Sequence, residues 1–320
     1  MKLRNLLCIS LLLFPNAVNG ATDDELLYRA YEVYDVARVA CSGIAGEISK
    51  VTNISTANTV VSSVGTVASG GALVAGIAKS REEERIDELI AEICESGGCD
   101  ADSVRTMSNQ DFFEHIISPM AEIVELQESI NRSKQLGNWR TGLMAGTIGT
   151  NLATAIMSGL NTNQSDLVQH IDACNMAIGA VDSVVNELKT SGINPYENSI
   201  VNQLNGISTW CSQMNLSDVE KIENRMKGVL GTSIAGGVIG VVGTTTSAVA
   251  NSDKYMDPVN KIRLTDAERD KERALNTTAN VMAGANVVTG AVNAGLSISL
   301  ITLTKKMINS AQNCEDSFND

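Results

Sequence analysis

Ile234-Ala-Gly-Gly-Val-Ile-Gly-Val-Val-Gly243 holds four glycines in ten residues, with no charge and no proline. It lacks the apolar–polar alternation of a half-buried strand. No Gly-Lys-Ser/Thr follows it, so it is not a phosphate loop. The run lies inside a longer charge-free segment, Gly228–Ser252, and Val51–Ala78, Thr141–Ser165 and Ala274–Thr304 share that character. All four are built from Gly, Ala, Ser, Thr and Val, with some Ile, Leu and Met; Val67-Ala-Ser-Gly-Gly-Ala-Leu-Val-Ala-Gly76 is the counterpart in the first. Glycine inside a helix costs up to ~1 kcal/mol relative to alanine. So many glycines need a reason, and close approach of helix backbones supplies it; Gly236 and Gly240 have the small-xxx-small spacing of such contacts.

Helical spacing continues on either side. Leu26, Leu27, Ala30, Tyr34, Ala37 and Cys41 predict one apolar face, and Ile86, Leu89, Ile90 and Ile93 another. Ser217-Asp-Val-Glu220 and Thr265-Asp-Ala-Glu268 read as capping boxes opening long helices. Pro119 starts or bends a helix, and Gly192-Ile-Asn-Pro195 is the clearest break. The expected fold is all-α: an elongated bundle of two duplicated long helical hairpins, rich in Gly, Ala, Ser and Thr and stapled by disulfides.

The duplication rests on order. Cys41-Ser42 and Cys211-Ser212 each precede a charge-poor helix with a Gly-Gly pair, Gly70-Gly71 or Gly236-Gly237. A charged tip follows, Arg81–Arg85 or Asp266–Arg273. Then comes a helix with Met144-Ala-Gly146 or Met282-Ala-Gly284, and then Cys174 or Cys314. The expected organisation is a signal peptide at 1–20, a first unit at 21–192 with an insertion near 95–120, and a second unit at 193–320. An outgoing and a returning helix bring the flanking cysteines to one end. The expected disulfides are therefore Cys41–Cys174 and Cys211–Cys314, with Cys94–Cys99 closing a small local loop.

Composition bounds the compartment and the chemistry. The 320 residues carry a net charge of −13, with 43% hydrophobic and 3% aromatic residues, 26 Gly and 4 Pro. A negative balance argues against a nucleic-acid partner, which needs a basic face. Met1–Gly20 has a basic start, an apolar run from Leu6 to Phe14 too short to span a membrane, and small residues ahead of Ala21. Cleavage there removes Cys8 and leaves six cysteines, an even number suited to an oxidising, exported setting.

The candidate sites are few. His170 and Cys174 have metal-ligand spacing on a helix, but no second pair joins them and the expectation is a structural cysteine. Asp111, Glu114 and His115 could make an acid–base group, without a nucleophile near them. Asn280, Asn286 and Asn293 fall at seam spacing, where amides fix register or line a polar channel. Trp139 and Trp210 are expected as packing residues, and the charged tips as solvated, salt-bridged faces or partner contacts. No cofactor, metal or catalytic set is expected.

The expected function is that of a non-enzymatic exported protein of the cell envelope, periplasm or exterior, acting on an unknown protein partner or by self-assembly. A second reading is a membrane-spanning or membrane-inserting, pore-like protein that uses the four charge-free helices. For it stand their length and small-residue content; against it stand diluted hydropathy and sparse aromatic belts.

Overall fold

The computed structural model describes residues 23–96, 107–108, 121–162, 165–192, 199–214 and 216–319. Among them every regular element is a helix, as the sequence spacing implies. In chain order they are α1 (Asp23–Cys41), α2 (Ile44–Ser96), α3 (Ala121–Thr162), α4 (Ser165–Thr190), α5 (Ser199–Cys211), α6 (Leu216–Ala250), α7 (Asp253–Met256), α8 (Pro258–Ile262) and α9 (Asp266–Asp316). The signal peptide, Asp111, Glu114, His115, Pro119 and the Cys94–Cys99 loop lie outside the described residues and side chains.

Local chemistry sets several boundaries. Gly43 (φ 81°) separates α1 from α2, and Gly192 (φ 85°) follows α4; both need the left-handed conformation that glycine adopts freely. Thr265 and Glu268 form a true capping box. The Glu268 amide donates to Thr265 Oγ1 (3.2 Å), and the Thr265 amide donates to Glu268 Oε2 (3.0 Å). Helix α6 begins at Leu216, with Ser217 in its first turn. Asp257 caps α8, accepting from the amides of Val259 and Asn260 at 3.1 Å each.

The four long helices share one burial rhythm. In α6 the buried positions are 219, 222, 226, 229, 233, 236, 240, 243, 247 and 250. In α9 they run from 272 through 276, 279, 283, 286, 290, 293 and 297 to 314 with the same alternating steps of three and four. Helices α2 and α3 follow suit. A sustained 3.5-residue repeat is the seam of a left-handed coiled coil.

Contacts group the chain into two compact units. The first comprises Met1–Ala57, Ser158–Lys227 and Leu296–Asp320, the second Asn58–Met157 and Gly228–Gly295. Each unit draws on both sequence segments, 21–192 and 193–320, because α2, α3, α6 and α9 each contribute residues to both.

In the first unit α1 packs against α4, and α4 against α5. Leu26, Ala30, Val33 and Ala37 supply the buried face of α1. Arg29 pairs with Glu187 at 2.9 Å, and the Tyr34 hydroxyl donates to the Phe318 carbonyl at 2.6 Å. Cys41 is bonded to Cys174 and Cys211 to Cys314, with Cα separations of 4.7 and 4.6 Å.

In the second unit α2 lies against α3 and α9, and α6 against the same two. A Cβ on Gly65 would strike Thr150, one on Gly290 would strike Thr66, and one on Gly243 would meet Met144 and Met282. Ile86, Ile90, Ile93, Leu126, Ile130 and Ile262 form an apolar cluster nearest the α2–α3 connection.

Candidate functional site

Between that apolar cluster and the glycine-rich stretch, the seam of the second unit becomes ionic. Lys79 and Arg140 are fully buried, at 0% exposure. Lys79 stands at the seam position after Gly76 and pairs with Glu83 one turn on; it also donates to Ser133 Oγ at 3.2 Å. Glu83 is tied in turn to Asn276, whose amide donates to it at 2.6 Å. Arg140 donates to Ser247 Oγ (2.8 Å), Asn280 Oδ1 (3.2 Å) and Asn276 Oδ1 (2.8 Å). Lys261 and Glu272 make a second buried pair, 4% exposed on each side, at 2.5 Å.

The ionisable members, Lys79, Glu83, Arg140, Lys261 and Glu272, lie outside the charge-free segments, and burial shapes the titration of three of them. Desolvation lowers the Arg140 pKa to about 10, with the Glu83 carboxylate opposing it. It lowers Lys79 as well, again against Glu83. It raises Glu272 despite the facing Lys261 ammonium.

The geometry is that of a register lock. Arg140 of α3 is held by α6 and α9 at once, and Gly76 leaves room for it, since a Cβ there would meet Asn280 and the Arg140 side chain (Cδ at 3.1 Å). Two surface depressions, one lined by Arg85, Glu125, Glu128 and Arg132 and the other by Asn138, Trp139, Gly142 and Leu143, share no residue with the cluster.

The neighbouring charge-free stretch buries many polar side chains and exposes many apolar ones, around a small buried apolar cluster of Ala72, Met144 and Ala283. Buried in it are Asn58, Ser62 and Ser69 of α2, Thr147, Asn151 and Thr154 of α3, Ser233 and Ser247 of α6, and Asn286 and Asn293 of α9. Exposed are Val60, Val64, Val67 and Val74, then Leu152 and Ile156, then Ile234, Val238 and Val241, then Val281, Val288 and Val292. Ser69 and Thr147 share a hydrogen bond at 3.0 Å, and Asn293 reaches Thr232 and Ser233. Asn286 is 1% exposed, and neither of its side-chain polar atoms has a hydrogen-bond partner. Gly236 and Gly240 of α6 face these amides: a Cβ on Gly236 would stand 2.7 Å from Asn151 Nδ2, and one on Gly240 3.4 Å from Asn286 Nδ2. Three helical stretches, Asp24–Ile93, Ser217–Ala250 and Asp266–Asp316, are long and apolar enough by length and composition to cross a membrane; 28% of the most apolar window is buried in each.

The sequence-derived candidates divide. Of the three asparagines singled out on α9, Asn286 and Asn293 are seam residues in the uncharged stretch, whereas Asn280 lies beside the seam, half-buried, and bonds Arg140 and Ser80. His170 faces Glu47 (3.2 Å), and Cys174 is bonded to Cys41, so the two do not act as a ligand pair. Trp139 and Trp210 are corrections to the packing expectation, at 62% and 45% exposure. The tip charges are partly solvated pairs, Arg85 with Glu125 and Arg273 with Asp87, but Glu83 and Glu272 from the same runs are buried. Sequence reasoning missed Lys79 and Arg140 because each borders a charge-free segment and looks like its flank. The signal was the register: 72, 76, 79, 83 and 133, 137, 140, 144 continue the three–four steps through them. Compared with known protein families, curated proteins and solved structures, the chain matches none.

Proposed function

We propose that the chain is a non-enzymatic exported protein whose four charge-free segments cross a lipid bilayer as one bundle, and that it acts by assembly in that membrane. The observation that supports this is the inverted polarity: valines and isoleucines outside, serines, threonines, asparagines and glycines inside. Water favours the opposite order. Hydrocarbon accepts the valines, and within it polar groups must find protein partners. The dimensions agree. From Val60 to Ile77, and again from Val281 to Ile298, the helix rises about 26 Å, close to the ~30 Å hydrocarbon core of a bilayer. Charges resume beyond both ends, at Lys50 and Lys79 around the first segment and at Lys227 and Asp253 around the third.

Export is supported by the signal-like start and the cysteine pairs. Four crossings return Cys41, Cys174, Cys211 and Cys314 to one side, which is then the oxidising one. The repeated order of Cys, Gly-Gly helix, charged tip, Met-Ala-Gly helix and Cys supports reading the two hairpins as copies of one unit. A competing arrangement leaves the bundle in water with its valine bands covered by further copies.

Alkaline carbonate extraction of the exported protein, followed by detergent-free sizing, separates the two. Retention in the membrane pellet until detergent is added is the expected result. Release as a defined soluble particle would overturn the bilayer reading and leave self-assembly.

A further inference from the structure

The two disulfides of the first unit are neighbours. The Sγ atoms of Cys41, Cys211 and Cys314 all lie within 4.8 Å of one another, and the four bonded cysteines are 0–1% exposed. They come from four helices: Cys41 closes α1, Cys174 lies inside α4, Cys211 closes α5, and Cys314 is in the last turn of α9. We propose that these sulfurs form one internal thiol–disulfide exchange site, in which opening Cys211–Cys314 lets one of its sulfurs take Cys41 from Cys174.

The order follows from position. Helix ends open at lower free energy than helix interiors. Cys211 and Cys314 both lie on final turns, whereas Cys174 has more than two turns of α4 on either side. Cys211–Cys314 is therefore the bond that a small dithiol reaches first. The direction follows from proximity: Cys41, and not Cys174, belongs to the close sulfur triplet. Attack falls on Cys41, and Cys174 is the leaving group.

The chemistry balances in two steps. A dithiol reductant is oxidised to its disulfide and delivers two electrons and two protons to Cys211–Cys314, giving two thiols. One of these loses its proton, and its sulfur lone pair forms a bond to Cys41 Sγ. The Cys41–Cys174 bond breaks, and its electron pair leaves on the Cys174 sulfur, which takes up a proton. The second step is redox-neutral. It exchanges the α1–α4 tie for an α1–α5 or α1–α9 tie and frees one thiol on α4.

Two experiments test this without reference to the membrane. In the first, the intact folded protein receives a limiting amount of dithiol, free thiols are trapped by acid quench and alkylation, and the linked peptides are mapped. The expected product joins Cys41 to Cys211 or Cys314 and carries the alkyl label on Cys174. In the second, the Cys211→Ser protein leaves Cys314 without its partner; Cys41–Cys314 linkage with labelled Cys174 is then expected without any reductant. Circular dichroism in the same buffer checks that the variant keeps its helices. Retention of Cys41–Cys174 beside labelled Cys314 in the folded variant overturns the proposal. So does a singly reduced wild-type protein labelled only on Cys211 and Cys314, or only on Cys41 and Cys174.

Discussion

Arg140 donates to three neutral oxygens, on Ser247, Asn276 and Asn280, and has no carboxylate among its hydrogen-bond partners. Its charge is held by dipoles and by the nearby Glu83, which shares Asn276 with it. Truncation to Ala takes the donor from Asn276 Oδ1 and Asn280 Oδ1, while Ser247 keeps Thr141 at 2.8 Å and Glu83 keeps Lys79 as its cation. Leaving a buried acceptor without its donor costs about 1–3 kcal/mol each. Arg140→Ala is therefore expected to lower the unfolding midpoint far more than Arg132→Ala, whose side chain is 61% exposed; chemical denaturation compares the two. The glycines give a second contrast at this scale. A Cβ on Gly240 would stand 2.8 Å from Ile148 Cγ1, while one on Gly237 meets nothing within 4 Å. Gly240→Ala is expected to destabilise by roughly 1–3 kcal/mol through overpacking. Gly237→Ala is expected to stabilise by up to ~1 kcal/mol through helix propensity. Equal effects from the two would show that α6 does not approach α3 closely.

Helix α9 illustrates how one element is fixed at its start. The Glu268 carboxylate is held down to a pKa of about 2, first by the Lys254 ammonium and then by the amide and hydroxyl of Thr265. Its value is below the ordinary 4.5, so what it contributes to the cap is fully present above that pH and is lost as the pH falls toward about 2. Lys254→Met is expected to move the Glu268 titration up toward the ordinary carboxylate range, read by NMR of the side-chain carboxyl. An unmoved titration would mean that the Thr265 cap alone sets it. Further along, the same element is a strip of seam: Glu272, Asn276, Asn286 and Asn293 occupy the inward positions. The spacing singles out Asn280, Asn286 and Asn293, because asparagine stands out in an apolar run, and of these Asn286 and Asn293 fall on the seam. Glu272 stands in a run of charges, which by itself implies a solvated face.

For the molecule, two properties can be measured directly. The disulfides close loops spanning 133 and 103 residues, and each is expected to contribute roughly 4–5 kcal/mol by restricting the unfolded chain. The paired substitution Cys211→Ser with Cys314→Ser should lower stability by that order in chemical denaturation; a change below about 1 kcal/mol would place the tie's effect elsewhere. The outer valine band gives the sharper test. Val67 is 76% exposed. In water Val67→Lys should change stability by no more than ~0.5 kcal/mol. Facing lipid, the same lysine opposes insertion by about 2.5–3.5 kcal/mol. Loss of carbonate-resistant protein in Val67→Lys, with wild-type behaviour in Gln127→Lys at an exposed position outside the charge-free segments, is the expected pattern.

The sequence by itself determined the helical class, the break at Gly192, the cap at Thr265 and the cysteines that could meet. Each depends on local periodicity, on a turn residue, or on which ends of long helices return together. The tertiary structure decided which side of each charge-free helix faces inward. Gly, Ala, Ser, Thr and Val differ too little in hydropathy for such a helix to carry a strong amphipathic signal, so the two faces look alike until neighbours are in place. It also decided that Lys79 and Arg140 are interior. A charge at the edge of an apolar run is indistinguishable in sequence from a solvated flank. Only the partners on α6 and α9, brought from more than 100 residues away, make burial of Arg140 tolerable.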